Sequence, residues 1–439
     1  MRNHVENGFL PIFYSFSLAL YSFFGWLSTA ASNMGAVLLL FGAGLTLPDF
    51  LGQVKKQPLF WLSIVSIIFI LLHLLFIQPL DQQTAIYSVR YSKGLVYLWL
   101  FSVIGWSLYK QLEMVRWLIG LASIGLVVKV LMEVDWDHLA VFFDRRQDFG
   151  FSWTGAGLHS VLGIFGFIIL GAGISRNESC VVRCLANFIC MAGILVLAEA
   201  SVLAGSRAAW VAMLVAMIVV GTLFYVKEKN SRHRLKSRTV IIFGLIISLF
   251  VAGILAINHK RLSARLASES QVYGTLLTFD RKKIPYTSVG ARAHMLLYGL
   301  QLWRQKPLFG WGVGSSRTLL ARDRILKAGD HPHFHDNYLQ LLVEQGLVGF
   351  SLYFIAFVML LRGLLEANKV GAIPKDVFYY LIGAWTTVLV WSLADSRMVH
   401  ADLRFVLLLL SGISFAYILK LNDVGLYRRS QKVDRVDPG

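Results

Sequence analysis

Apolar residues arrive along this chain in blocks about twenty long, separated by short polar breaks, and that is the length a bilayer-spanning helix needs. Six blocks mark the first half: Phe9–Ser28, Met34–Leu51, Leu59–Ile77, Gly94–Tyr109, Val115–Met132 and Trp153–Ile174. Six more follow: Val181–Leu203, Arg207–Val226, Thr239–Ile257, Tyr338–Leu361, Val377–Leu393 and Leu403–Leu421. The pattern predicts an all-α, polytopic membrane protein with about twelve spans. It divides into residues 1–257 with spans one to nine, a long polar loop over 258–337, spans ten to twelve over 338–421, and a tail over 422–439. The N-terminal block follows a short polar head without a cleavage-site pattern, so it is read as a first span and not a removed signal peptide.

Composition fits this picture. Of 439 residues, 56% are hydrophobic and 15% charged, which excludes an ordinary soluble globular class. Mean hydropathy is +0.62. The three cysteines, Cys180, Cys184 and Cys190, crowd one apolar block with no histidine or carboxylate beside them, so packing is expected and not a disulfide or a metal site.

The formal charge of +17 orients the chain. Lys55 and Lys56, Lys110 with Arg116, Arg176 with Arg183, the block KEKNSRHRLKSR, and Arg362 with Lys369 and Lys375 fall in alternate loops. The positive-inside rule puts those loops and both termini in the cytoplasm. The opposite loop from Glu133 to Asp148 is acid-rich, as an outer loop should be. The loop over 258–337 is also outer, yet it is basic, with Arg261, Arg265, Arg292 and Arg304 among many cations. Long loops escape the insertion rule, so these charges were tolerated or serve a purpose. No nucleic acid is expected on that side. Phosphates of lipids are, and an outward basic surface suits them.

Three places carry candidate chemistry. LAGSRAAW opens the eighth block with Ser206 able to cap and Arg207 in the first helical turn. A cation is unfavourable there unless an anion binds beside it. In the loop, HKRLSARLASES puts Arg261 and Arg265 on one face of an amphipathic segment suited to a membrane surface. A helix is predicted from Ala291 to Lys306, stopped by Pro307, with Arg292 as awkwardly placed as Arg207. Gly310, Gly312 and Gly314 then make a turn, a weak signal for a phosphate cradle.

The third place is HPHFHDNYLQ. Its alternate His331, His333 and His335 could bind a metal from an extended segment, although no cysteine or glutamate nearby completes such a site. The other reading uses His335 alone. A helix N-terminus disfavours an imidazolium, which leaves a neutral base. Asp336 or Asn337 would cap the helix. LADSRMVHADLR brings Asp395, Arg397, His400 and Asp402 into a neighbouring outer loop, where Asp395 could orient a base or bind a sugar. His73, Lys129 and His159 are read as packing or snorkelling groups.

Taken together, GSRAAW, Arg292 eleven residues before Trp303, PLFGWGVGS, HFHDNYLQ and EQGLVG resemble the bacterial O-antigen ligase family. That family shares its C-terminal signature with O-antigen polymerases and protein O-oligosaccharyltransferases. Many members have Asn directly after the histidine, whereas here Asp336 intervenes. The resemblance implies a GT-C-like glycosyltransferase in the bacterial inner membrane with a periplasmic active site and no metal or other cofactor. The donor would be undecaprenyl-pyrophosphate-linked O-antigen, and the acceptor a hydroxyl of the lipid A–core oligosaccharide. Arg207 and Arg292 would hold the pyrophosphate and His335 would take the acceptor proton. Arg261, Arg265, His333, Asn337, Tyr338 and Asp395 would contact the substrates. The polymerase and the protein-glycosylating transferase share this donor and differ in acceptor. The latter often carry an extra soluble C-terminal portion, so a chain ending just after its last span leans towards the ligase. A transporter or flippase is the other class, but its usual division into two six-span halves does not match these loops.

Overall fold

The computed structural model describes residues 8–174, 179–229, 283–326 and 332–433. Among them there are helices and no strands. The first half gives α1 (Leu10–Phe24), α2 (Thr29–Leu45), α3 (Leu47–Val54), α4 (Pro58–Phe76), α5 (Gln82–Leu98), α6 (Phe101–Tyr109), α7 (Met114–Met132) and α8 (Leu139–Asp144). The second gives α9 (Trp153–Ile174), α10 (Cys180–Ala204), α11 (Arg207–Lys229), α12 (Ser288–Gln305), α13 (Ser316–Ala321), α14 (Asn337–Val370), α15 (Lys375–Trp391) and α16 (Ala401–Val433).

Local chemistry sets many of these ends. Ser28, Asp81, Thr287 and Asp336 each accept a backbone N–H of the helix they precede. Gly205 ends α10 and Gly371 ends α14 in the left-handed region that glycine occupies without strain.

Seven described helices are long and apolar enough to cross a membrane: α4, α7, α9, α10, α11, α14 and α16. The protein is therefore a multi-pass membrane protein. In their most apolar stretches α9 and α16 are 78% and 72% buried, against 17% for α10 and 22% for α11. The first two form the middle of the bundle, and α10 and α11 show apolar faces outward. The large apolar core joins α1, α7, α9, α15 and α16.

Four expected spans come out differently. Phe9–Ser28 and Val377–Leu393 fold as α1 and α15, of 15 and 17 residues, and are not among the seven long helices. The block Met34–Leu51 is not one helix: α2 and α3 meet at an angle of 91°. Pro48 starts the new helix, and Thr46 at the corner is held by Tyr14 Oη and Trp106 Nε1, both at 3.0 Å. The block Gly94–Tyr109 is split between α5 and α6, and α5 begins at Gln82, well before the apolar run. The expected span Thr239–Ile257, most of the basic block, Arg261, Arg265 and His331 lie outside the described residues.

Helix α14 carries the feature that most shapes the site. At Gly346 its backbone leaves the helical region with φ 66° and ψ −168°. The groups freed by that break are taken up by the glycine turn before α13. Trp311 N–H donates to Val343 O at 2.8 Å and Gly312 N–H to Glu344 O at 2.9 Å. Leu347 N–H donates to Pro307 O at 2.8 Å and Val348 N–H to Leu308 O at 3.1 Å. A methyl group on Gly346 would stand 2.2 Å from Leu308 O, so only glycine fits. The Glu344 carboxylate fastens the same junction, accepting Ser316 Oγ at 2.7 Å and Gln340 Nε2 at 3.0 Å.

Candidate functional site

The start of α14 is fixed by its cap. Asp336 Oδ1 accepts Tyr338 N–H at 2.8 Å and Leu339 N–H at 2.9 Å. Asn337, next in line and buried, ties this end to the loop between α15 and α16. Its amide donates to Ser392 Oγ at 3.0 Å and accepts Arg397 N–H at 3.1 Å and Met398 N–H at 3.3 Å. Tyr338 Oη donates to Leu389 O at 2.8 Å. Gln340 adds Ser396 Oγ at 3.0 Å. The consequence is that residues 392–398 lie rigidly across the N-terminus of α14, and Asp395 among them is brought to the histidines.

His335 sits at φ 53°, a conformation that costs a non-glycine residue energy and is kept where surroundings demand it. That turn folds the two imidazoles together, with ring centroids 4.3 Å apart. His335 Nδ1 stands 3.4 Å from Asp395 Oδ1, and His333 Nε2 stands 3.7 Å from the same oxygen. His335 N–H donates to His333 Nδ1 at 3.2 Å, so the His333 proton belongs on Nε2, towards the carboxylate. Thr154 Oγ1, at the start of α9, donates to Asp395 Oδ2. Burial alone would raise the Asp395 carboxyl, but the neighbouring His335 and His333 imidazoles and the Thr154 hydroxyl outweigh it and hold it below the usual carboxylate range. Burial, and then the neighbouring His335, push His333 down to about 3. An ionised carboxylate therefore faces two imidazoles, and the one on the more open side is His335, whose side chain is 27% exposed.

Behind this centre lies a second network. Asp402 Oδ2 accepts Arg397 Nε at 3.1 Å and lies 3.2 Å from His159 Nε2. His159, read from sequence as a packing group, is thus a packed group with an acidic partner. Thr154 gave no signal in the sequence, and neither did the pairing of Asp395 with it across 241 positions.

The two arginines occupy helix starts as expected. Arg207 is the first residue of α11 and half-buried. Ser206 caps that helix, accepting Ala209 N–H at 3.3 Å. Ser206 packs on Gly157, where a methyl group would be 2.5 Å from Ser206 Cβ. Gly157 is one turn beyond Thr154 on α9, so Arg207 enters on the same end of the bundle as Asp395. Arg292 is exposed near the start of α12, between Ala291 and Met295. Those two share an apolar cluster with Phe334, directly before His335, and Leu339, in the first turn of α14. The structure thus gathers His333, His335, Asn337, Tyr338 and Asp395, and sets Arg207 and Arg292 on elements packed around them.

His333, His335 and Asp395 offer ligand atoms all within 4.8 Å of one another, a set compatible with a metal ion. The glycine turn before α13 is committed to α14 through its Trp311 and Gly312 N–H groups.

An all-helical, multi-pass membrane protein with a histidine–carboxylate centre at one end of its bundle is the class that fold and site define. Residues 192–354 match the family model described as O-Antigen ligase. The match takes in Arg207, Arg292 and the histidines, and stops short of Asp395. No curated protein matches the chain.

Proposed function

We propose that the chain is a ligase that transfers O-antigen polysaccharide from undecaprenyl pyrophosphate to a sugar hydroxyl of lipid A–core, on the periplasmic face of the bacterial inner membrane. In this reading the loop over 258–337 is periplasmic and supplies Arg261, Arg265 and Arg292. The acceptor oxygen attacks the anomeric carbon of the donor sugar. The carbon–oxygen bond to the pyrophosphate breaks on the opposite face, and the anomeric configuration inverts. Asp395 holds the proton of His335 on Nδ1, so Nε2 carries the lone pair that takes the acceptor's proton, an orienting role like that of the acid in a catalytic triad. Arg207 and Arg292 neutralise the charge growing on the departing diphosphate, a task that suits forked guanidinium groups. General-base help of this kind contributes about 10²–10⁴-fold.

The observation that carries the reading is His335, held by a left-handed backbone against buried, ionised Asp395. The deciding experiment offers purified protein and lipid-linked O-antigen three acceptors separately: lipid A–core, a second donor chain, and a peptide. Extension of lipid A–core alone is expected. Extension of the donor chain or the peptide would make the protein a polymerase or a protein glycosyltransferase.

The three ligand atoms within 4.8 Å support a second reading, in which His333, His335 and Asp395 would hold a transition-metal ion that would supply Lewis-acid help to the acceptor hydroxyl. Transfer that persists after exhaustive chelation favours the imidazole base. Loss on chelation with recovery on adding Zn²⁺ favours the metal.

A further inference from the structure

A separate cavity of about 210 Å³ opens between α2, the α5–α6 corner and the start of α16. Its wall is mixed. Val37 and Leu40 on α2 line it and are 61% and 42% exposed at its outer edge, where a bilayer would meet them. Thr29, Ser32 and Asn33 supply hydroxyl and amide groups on the same helix, and Arg404 closes the opposite side.

Arg404 is the unusual part. It lies in the first turn of α16, where the helix dipole opposes a cation. Its guanidinium stacks over Tyr97, 5.4 Å from the ring centre, and Nη1 donates to Val399 O at 3.4 Å. Both partners are uncharged. The nearest acid in sequence, Asp402, is engaged by Arg397 and His159 on the other side of the helix. Among the described residues no carboxylate lies within ion-pair distance of Arg404. Nor is it a side chain swinging in the headgroup region: Nη1 sits so close under Gly94 that a methyl group there would be 3.2 Å from it. A cation pinned beside a hydroxyl-bearing wall, in a cavity with an apolar mouth, matches an anion that carries its own hydrocarbon.

We propose that this cavity binds the phosphate of a membrane glycerophospholipid, with Arg404 pairing the phosphate, Ser32 and Asn33 donating to its oxygens, and an acyl chain leaving past Val37 and Leu40. Arginine is the side chain suited to a partly desolvated phosphate, because its fork donates two parallel bonds. The site lies at the same end of the bundle as His335 but on the opposite side of the first turn of α16, and it does not depend on the transfer reaction proposed above.

The test is thermal unfolding of the purified full chain in dodecyl maltoside, with dioctanoyl phosphatidic acid, dioctanoylglycerol or inorganic phosphate added. Phosphatidic acid is expected to raise Tm by a few degrees, with little effect from the other two. Arg404→Gln should remove the shift and Arg404→Lys should keep part of it. Ala36→Trp, which fills the mouth and leaves the arginine in place, should also remove it; this variant decides the matter if Arg404→Gln does not fold. No shift in the unaltered protein, a shift surviving Arg404→Gln or Ala36→Trp, or an equal shift with inorganic phosphate would each overturn the proposal.

Discussion

Two histidine–aspartate pairs flank one short stretch of this protein, and they are built to opposite ends. His159 and Asp402 lie 3.2 Å apart with side chains 1% and 8% exposed, and Arg397 closes on the same carboxylate oxygen at 3.0 Å. Trp26 covers the imidazole, with ring centres 4.5 Å apart. His335 and Asp395 lie 3.4 Å apart, and the carboxylate is as deeply buried, but no guanidinium reaches it among the described residues and the imidazole is 27% exposed. The same two groups therefore do different work. A permanent cation in the first pair settles the charge of Asp402, and its histidine can only pack. In the second pair the carboxylate meets two imidazoles and the Thr154 hydroxyl, and the His335 ring is open to a partner.

Breaking the closed pair should have the largest effect. Asp402→Ala leaves Arg397 buried without its anion, which costs about 3–5 kcal/mol. Denaturation of the purified protein should reveal that loss as a sharp fall in Tm or in folded yield, and an unchanged Tm would remove the structural role assigned to the pair.

Next in size is the junction that holds the open pair in place. Gly346→Ala forces a side chain into a glycine-only conformation and against Leu308 O, at a cost of about 1–3 kcal/mol. Unfolding measurements should register it, and Gly371→Ala, where no atom stands within 4 Å of the added methyl, tests how much comes from backbone conformation alone.

A change confined to chemistry comes third. Arg207→Lys and Arg292→Lys keep the charge and lose the fork, so turnover should drop by roughly tenfold or more while Tm stays constant. Wild-type turnover in both variants would show that neither guanidinium grips the leaving group.

The smallest effect is on pH dependence. The native form of His333 resists protonation down to about 3, whereas the unfolded chain takes up that proton near 6.5. Stability from this group is complete above 6.5 and declines as the pH falls towards 3. His333→Gln should flatten the acid slope of Tm over that window, and an unaltered slope would mean that the imidazole is not buried as described.

The sequence made one side of this comparison legible and hid the other. The start of α14 could be read because a capping acid before an apolar run is a local signal, and Asp336 obeys it. The helix expected over Ala291–Lys306 could be read because Pro307 stops it and its periodicity is local, although it starts three residues earlier, at Ser288. The break at Gly346 could not, because hydrophobicity runs straight through it and the groups that repair it come from Pro307 to Gly312. The corner at Thr46 escaped for the same reason, since Tyr14 and Trp106 hold it from 32 and 60 positions away. Asp395 was visible as a charge beside the histidines, but Thr154, which fixes its second oxygen, sits in an apolar block with nothing to mark it.

The most direct measurement compares wild-type protein with His335→Ala in single-turnover transfer from lipid-linked O-antigen to lipid A–core, while donor binding and Tm are followed in parallel. Transfer should fall by about 10²–10⁴-fold with donor binding and Tm unchanged. A wild-type rate would contradict the role of His335 as the base.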